Sequence, residues 1–391
     1  MNLDLKNIKK VHFIGIGGIG VSAIARMMLL EGKEVSGSDE APSEITKELE
    51  KKGAEIFDKH NAENLGSDTD LVVYTVAIDS DNPELLKAKK LGIKILTYSQ
   101  MLGIISTEYY TVAVSGTHGK TTTTAMLAKV AVDAGLDPTV IVGSLLKDCG
   151  SNLILPKDSP RGDEKNLFIV EACEYNRSFL DISPNILIIT NIEEDHLDYY
   201  KDLADIQNAF KELVNKLGKD DFCVCNSNDE KVKPAIKNAK CKIVDYTDSL
   251  GSKAPKLRVL GNYNVENAKV AFATSEILKV EKERAIKSLS EFEGVWRRFE
   301  YKGKTENGAE VYDDYAHHPT EVCSILSAVR KKFSDRKIIV VFQPHLYSRT
   351  KLLLDDFADS FRDADKVLIA PIYAAREKED ESINSKILSD K

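Results

Sequence analysis

At 391 residues, 42% hydrophobic and 30% charged, the chain has the composition of an ordinary globular protein, long enough for two or three domains and too apolar to be disordered. A formal net charge of -8 argues against a general nucleic-acid binder, which holds phosphates with surplus Lys and Arg. The first residues, Met1-Asn2-Leu3-Asp4-Leu5-Lys6, lack the basic region and long apolar run of a signal peptide, and no later stretch reaches transmembrane length, so a cytoplasmic location without membrane insertion is expected.

Strand-length apolar runs over 11–14, 33–36 and 71–74 alternate with helical patterns over 20–30 and 43–52. That alternation predicts βαβ units and a mostly parallel sheet. Between the first strand and helix lies Gly15-Ile16-Gly17-Gly18-Ile19-Gly20, and Asp39 follows the second strand. Glycines let the backbone approach a diphosphate, while the helix start offers unpaired N–H groups. Taken alone the loop reads as a dinucleotide site, with a purely structural strand-to-helix turn as the alternative.

The pattern restarts with a strand over 110–114 that ends in Ser115-Gly116-Thr117-His118-Gly119-Lys120-Thr121-Thr122 and runs into a helix over 120–134. Backbone N–H groups of such a loop surround the β and γ phosphates, Lys120 supplies a positive charge, and Thr121 offers its hydroxyl to Mg2+. The strict pattern GxxxxGK[ST] would put its first glycine where Val114 stands, so this is a variant loop. Strands over 167–171 and 186–190 follow, with Glu171 ending the first and His196 shortly beyond the second. Carboxylate oxygens suit Mg2+, imidazole can serve a second metal position, and α/β sheets bind ligands at the carboxyl ends of their strands.

Six cysteines (Cys149, Cys173, Cys223, Cys225, Cys241, Cys323) show no repeated CxxC pairs and are read as reduced, buried thiols, with Cys223 and Cys225 on one face of a strand. A polar loop is expected over 249–256. A third series comprises a strand around 311–312, a helix near 320–331, a strand over 337–342, a helix around 351–361 and a strand over 366–370. Boundaries near Thr107 and Trp296 divide the chain into 1–107, 108–296 and 297–391.

Four further motifs accompany the two glycine loops: Thr190-Asn191-Ile192-Glu193-Glu194-Asp195-His196, Gly294-Val295-Trp296-Arg297-Arg298-Phe299, Asp313-Asp314-Tyr315-Ala316-His317-His318-Pro319-Thr320-Glu321 and Phe342-Gln343-Pro344-His345-Leu346-Tyr347-Ser348-Arg349-Thr350. In this order the six resemble the Mur ligases of cell-wall precursor synthesis, over His12 to about Glu377. The resemblance implies an α/β, three-domain architecture: a Rossmann-like N-terminal domain (1–107), a P-loop ATPase central domain (108–296) and a Rossmann-like C-terminal domain (297–391) that looks shortened. The implied activity, that of the family's alanine-adding branch, is ATP-dependent joining of L-alanine to the lactyl carboxylate of UDP-N-acetylmuramate through an acyl phosphate, in peptidoglycan precursor synthesis.

By the same resemblance the first loop holds UDP rather than NAD, with diphosphate contacts at Gly17, Gly18, Ile19 and Gly20 and uridine-nucleotide contacts near Asp39 and Thr75. ATP and Mg2+ are the implied cofactors. Gly116, Thr117, His118, Gly119, Lys120, Thr121 and Thr122 meet the phosphates, Asn264, Asn267 and Arg298 also meet the nucleotide, and Thr121, Glu171 and His196 face metals. Asn262-Tyr263 replaces the more usual basic-His pair before Asn264. Tyr315, His317, His345 and Arg349 form the implied alanine pocket, where the planar donor fork of Arg349 suits a carboxylate. The implied catalytic set is Lys120, Glu171, His196, His317 and Arg349. Lys211, near where sister ligases carry a carbamoylated lysine, is read as an ordinary helix residue.

The chain between Tyr246 and Gly261 is short for the family's middle domain, and the third sheet is expected to expose an unpaired edge. Competing readings are a recycling ligase that attaches a murein tripeptide to the same UDP-sugar, a UDP-sugar or ATP binding protein without ligation, and an NAD-dependent oxidoreductase.

Overall fold

The computed structural model describes residues 3–147, 150–157, 166–251, 255–375 and 377–391. Its first unit runs β1 (Lys10–Ile14), α1 (Ile19–Leu30), β2 (Glu34–Ser38), α2 (Glu44–Lys51), β3 (Glu55–Phe57), β4 (Leu71–Tyr74), α3 (Pro83–Leu91), β5 (Lys94–Thr97) and α4 (Tyr98–Glu108). The sheet order is β3-β2-β1-β4-β5, parallel throughout. β2 extends two residues past its predicted end, to Ser38, which brings Asp39 level with the glycine loop after β1.

The second unit comprises β6 (Tyr110–Ser115), α5 (Lys120–Asp133), β7 (Thr139–Leu146), β8 (Ser151–Ile154), β9 (Leu167–Glu171), β10 (Ile186–Ile189), α6 (Leu203–Val214), β11 (Phe222–Cys225), α7 (Lys233–Ile236), β12 (Lys242–Asp245), α8 (Asn262–Ile277) and α9 (Lys282–Glu291). Its sheet has the order β12-β11-β10-β6-β9-β7-β8, with β8 antiparallel to β7 and the other pairs parallel. The central strands are apolar on both faces: Ile186, Leu187, Ile188 and Ile189 of β10 are all fully buried, as a strand covered by helices on either side requires. Lys211 lies on α6. Cys223 and Cys225 share one face of β11 and, with Cys241, are buried, whereas Cys173 and Cys323 are exposed, contrary to the expectation of buried thiols throughout. Cys149, and residues 252–254 of the expected polar loop, lie outside the described residues.

One apolar core runs through the first two units, joining Phe13 of β1 to Phe168 of β9 and Phe210 of α6. Burying each such side chain stabilises by about 1.5–3 kcal/mol, so the two sheets are held as a single packed body. A polar clasp reinforces the seam. Arg26 of α1 donates to Asn152 Oδ1 of β8 at 2.6 Å, and the Asn152 amide donates to Ile19 O, the first carbonyl of α1, and to Ser22 Oγ at 3.2 Å.

The third unit has its own small core around Phe342 and Phe357. An antiparallel hairpin, β13 (Glu300–Lys304) and β14 (Glu310–Asp313), precedes α10 (Pro319–Lys332). Then come β15 (Ile339–Phe342), α11 (Tyr347–Leu352), α12 (Leu354–Ser360), β16 (Lys366–Ile369), parallel to β15, and α13 (Ser385–Asp390). A cleft of about 490 Å³ separates β14 from β15, and Ile339 and Val341 on β15 are 57% and 73% exposed. The helix predicted over 351–361 is two helices, starting earlier, at Tyr347. Leu353 leaves helical geometry (φ -110, ψ 28), and this break lets adjacent Leu353 and Leu354 both pack on the third core, which one straight helix face would not allow.

Candidate functional site

At the first loop, Gly15 turns the chain with φ +78 and Gly18 caps α1. The Gly17 N–H donates to Asp39 Oδ2 at 2.8 Å, and Thr75 lies against Gly15, where an added Cβ would come 2.6 Å from Thr75 Cγ2. Gly17, Gly18, Ile19, Gly20, Asp39 and Thr75 therefore border one cleft at the carboxyl ends of β1, β2 and β4. Beneath it Ser38 donates to the buried carboxylate of Glu84 at 2.6 Å, which also accepts from Asn64 at 2.6 Å.

The phosphate loop is fixed by close packing. Gly116 has φ +127, and a Cβ there would lie 2.0 Å from Thr190 Oγ1. Gly119 has φ +82, and a Cβ there would lie 2.5 Å from Asn267 Oδ1. The loop is pinned to the segment after β10: Thr190 Oγ1 donates to His118 O at 2.6 Å, and Asn191 both accepts from His118 N at 2.9 Å and donates to His118 O at 3.0 Å. Glu193 N donates to Thr117 Oγ1 at 2.8 Å. The start of α5 presents its free N–H groups and partial positive charge to the same space.

Lys120 Nζ donates to Gly116 O at 2.6 Å and Thr117 O at 3.0 Å, and lies 2.9 Å from Glu174 Oε2. Burial opposes its charge, but the Glu174 carboxylate outweighs that and holds the amine above its ordinary value. Thr121 Oγ1 donates to Glu171 Oε1 at 3.1 Å, and Gly143 N donates to Glu171 Oε2 at 2.8 Å. His196, in the left-handed region at φ +54, has Nε2 3.6 Å from Glu174 Oε1. Among the described residues no group of three His, Cys, Asp or Glu side chains is arranged to hold a metal. Thr121 and Glu171 make an oxygen pair of the kind Mg2+ uses together with phosphate oxygens and water, while His196 groups with Glu174.

A cavity of about 370 Å³ opens from Gly119 and Thr121 between the second and third units, bordered by Asn264, Asn267, Arg298 and Glu321. Asn267 Nδ2 donates to Asn264 Oδ1 at 3.2 Å. Opposite, the third unit gathers Tyr315, His317, His345 and Arg349. The Tyr315 and His317 rings are 5.2 Å apart and those of His317 and His345 5.9 Å. Burial lowers the pKa of His317. The guanidinium of Arg349, almost fully buried, meets His345 Nδ1 at 3.2 Å and donates to Asp195 Oδ1 at 3.0 Å. Leu346, with φ +71, makes the turn that starts α11 and aims Arg349 at the second unit.

Profiles described as "Mur ligase family, catalytic domain", "Mur ligase middle domain" and "Mur ligase, glutamate ligase domain" match residues 10–110, 114–254 and 297–391. The chain belongs to the Mur ligase family. The UDP-N-acetylmuramate--L-alanine ligase of Clostridium tetani is 43% identical over 418 residues, covering 100% of this chain and 90% of that protein. That of Clostridium novyi is 43% identical, covering 98% and 87%. Among solved structures, the UDP-N-acetylmuramate-alanine ligase of Thermotoga maritima aligns with TM-score 0.80 and 30% identity over 97% of this chain and 87% of that one. A murein peptide ligase from Psychrobacter arcticus aligns with TM-score 0.75 and 25% identity over 92% and 84%.

In this Mur ligase the sequence reading named most side chains around the two loops and the facing pocket, but missed three acids. Glu174, 2% exposed, joins Lys120 to His196. Asp195 holds Arg349. Glu321 lies between the phosphate loop and the amino-acid pocket, its carboxylate 3.3 Å from His118 and accepting His317 N–H at 3.0 Å. Glu174 left one trace in the sequence, a second acid three residues beyond the strand-ending Glu171.

Proposed function

We propose that this Mur ligase joins L-alanine to the lactyl carboxylate of UDP-N-acetylmuramate, coupled to conversion of ATP to ADP and phosphate, as a step of peptidoglycan precursor synthesis. The observation that carries this reading is 43% identity along the whole chain to ligases of that name. The fuller match to an alanine ligase than to a murein peptide ligase favours alanine over tripeptide as the amine. No helix among the described residues is long and apolar enough to cross a membrane, in keeping with a cytoplasmic enzyme.

The UDP-sugar lies at the loop of Gly17, Gly18, Ile19 and Gly20, with Asp39 and Thr75 beside it. ATP lies with its phosphates on Gly116 to Thr122 and its base toward Asn264, Asn267 and Arg298. The lactyl carboxylate attacks the γ-phosphorus, breaking its bond to the bridging oxygen and forming an acyl phosphate and ADP. Lys120 turns from its own loop carbonyls to the transferred phosphoryl oxygens, stabilising charge there. Mg2+, held through Thr121 and Glu171 with His196 nearby, would supply further charge neutralisation. The alanine carboxylate meets Arg349, and its amine attacks the acyl carbon near His317. Collapse of the tetrahedral intermediate expels phosphate and leaves the amide. Docking of the third unit excludes water that would hydrolyse the acyl phosphate.

The test is phosphate release by the purified protein with ATP, Mg2+ and UDP-N-acetylmuramate, adding L-alanine, murein tripeptide or neither, with products read by mass. Alanine-dependent release with the mass of UDP-N-acetylmuramoyl-L-alanine supports the reading. Release only with tripeptide, or none despite ATP binding, overturns it.

A further inference from the structure

Glu321 stands in the first turn of α10, where an acid ordinarily folds back on its own helix start. Here its two oxygens serve two places. Oε2 accepts the backbone N–H of His317, in the amino-acid pocket, at 3.0 Å. Oε1 faces the other way and lies 3.3 Å from Nδ1 of His118, in the phosphate loop, 203 residues earlier in the chain. The His118 imidazole consequently points away from the phosphates and sits between two acids, with Nε2 3.5 Å from Glu193 Oε2. Glu193 is also gripped from the third unit, accepting from Thr320 Oγ1 at 3.2 Å. Arg298, bordering the nucleotide cavity, lies 4.0 Å from the same Glu321 oxygen.

Resting on the ligase reading above, we propose that Glu321 is a positioning residue that couples the two halves of the reaction: it docks the third unit on His118 and, through the His317 backbone, places the amino-acid pocket in register with the phosphate loop. A side chain that merely capped α10 would need one oxygen and no partner from another unit. The carboxylate instead spans the gap across which the amine must reach the acyl phosphate, and His118 reports the position of the phosphate loop to it. Because approach geometry governs such an attack, a small misplacement of the pocket slows amide formation without loosening ATP.

Glu321→Gln keeps the size and the acceptor for His317 N–H but removes the charge facing His118, and His118→Asn removes the partner. Full-length wild type, both single variants and the double variant are compared by steady-state kinetics, by the Kd for ATP from nucleotide fluorescence, and by small-angle X-ray scattering with a non-hydrolysable ATP analogue. Expected for Glu321→Gln is a fall in kcat of about 10- to 100-fold and a raised KM for the amine, with the Kd for ATP within about twofold of wild type. The double variant is expected to be no worse than the poorer single one, because both act through one contact. Scattering should show a larger radius of gyration for Glu321→Gln than for wild type with the analogue. Wild-type kinetics in Glu321→Gln, losses that multiply in the double variant, or unchanged scattering overturns the coupling. A wild-type protein that uses tripeptide instead of alanine overturns the ligase reading but not the coupling, which is then read with tripeptide as the amine. If no amine is used, scattering alone decides it.

Discussion

Arg349 and Asp195 meet at 3.0 Å, both less than a tenth exposed, and the bond crosses from the helix after β15 to the loop after β10. Burial would raise the Asp195 carboxyl, yet His196 and Arg349 beside it hold it well below the usual carboxylate range. The guanidinium that is to receive the amino-acid carboxylate is thus already oriented by an acid of the other unit, leaving the rest of its donor fork for substrate. Arg349→Lys, which keeps the charge but loses the fork, is expected to lower kcat/KM for alanine by about 100-fold, while Asp195→Asn raises the alanine KM with a smaller effect on the KM for ATP. Steady-state kinetics with each substrate varied in turn checks both.

Lys120 and Glu174 form a second buried pair. Removing one partner of such a pair leaves an uncompensated charge, at a cost of about 3–5 kcal/mol, more than removing both. Lys120→Met is expected to abolish ATP turnover and to lower the melting temperature, and adding Glu174→Gln should recover much of the stability without recovering turnover. Thermal unfolding of the two variants, beside a phosphate-release assay, separates the effects.

His118 carries a pH signature. Burial works against its charge, but Glu193 and Glu321 prevail and raise its pKa from about 6.5 to about 9. A raised pKa means that the folded state binds this proton more tightly, so the contribution is complete below pH 6.5, falls between 6.5 and 9, and is absent above. Glu321 and Glu193 behave oppositely: their lowered values give stability above the ordinary carboxylate range that disappears in acid. The contact is therefore strongest in the window between, where the His118 side alone is worth on the order of 3 kcal/mol. NMR titration of the imidazole should find it still charged at pH 8, and His118→Asn should flatten the stability profile between pH 6.5 and 9.

Gly116→Ala tests the phosphate loop. With φ at +127 and Thr190 Oγ1 only 2.0 Å from where the methyl would sit, the loop has to move off the segment after β10. The expected result is loss of ATP binding, by at least about tenfold in Kd, with the fold kept, since the strain falls on a local turn. Calorimetric titration with ATP, and circular dichroism as the control, measure this.

The parts of the site that a reader of the sequence could find are those made by adjacent residues. The phosphate loop and first glycine loop are continuous segments whose glycines, lysine and helix start do their work within a few positions, and β4 and β9 begin and end where their apolar runs do. Glu321 and Asp195 were invisible because their partners lie 203 and 154 residues away, and which acids meet is decided by how units pack. The break at Leu353 was hidden for a similar reason. No glycine or proline marks it, and only the demand of the third core on two neighbouring leucines separates the helices.

The Asn152 clasp on the start of α1 has a consequence for substrate choice. Because it ties the helix carrying the first glycine loop to the sheet carrying the phosphate loop, and one core continues beneath both, the separation of the two loops is set before any ligand arrives. That fixed span acts as a ruler. A nucleotide sugar anchored by its diphosphate at one end delivers its carboxylate to the other loop only if the bridge between them has the matching length, so analogues with an acid one or two bonds nearer or farther should bind well and react poorly.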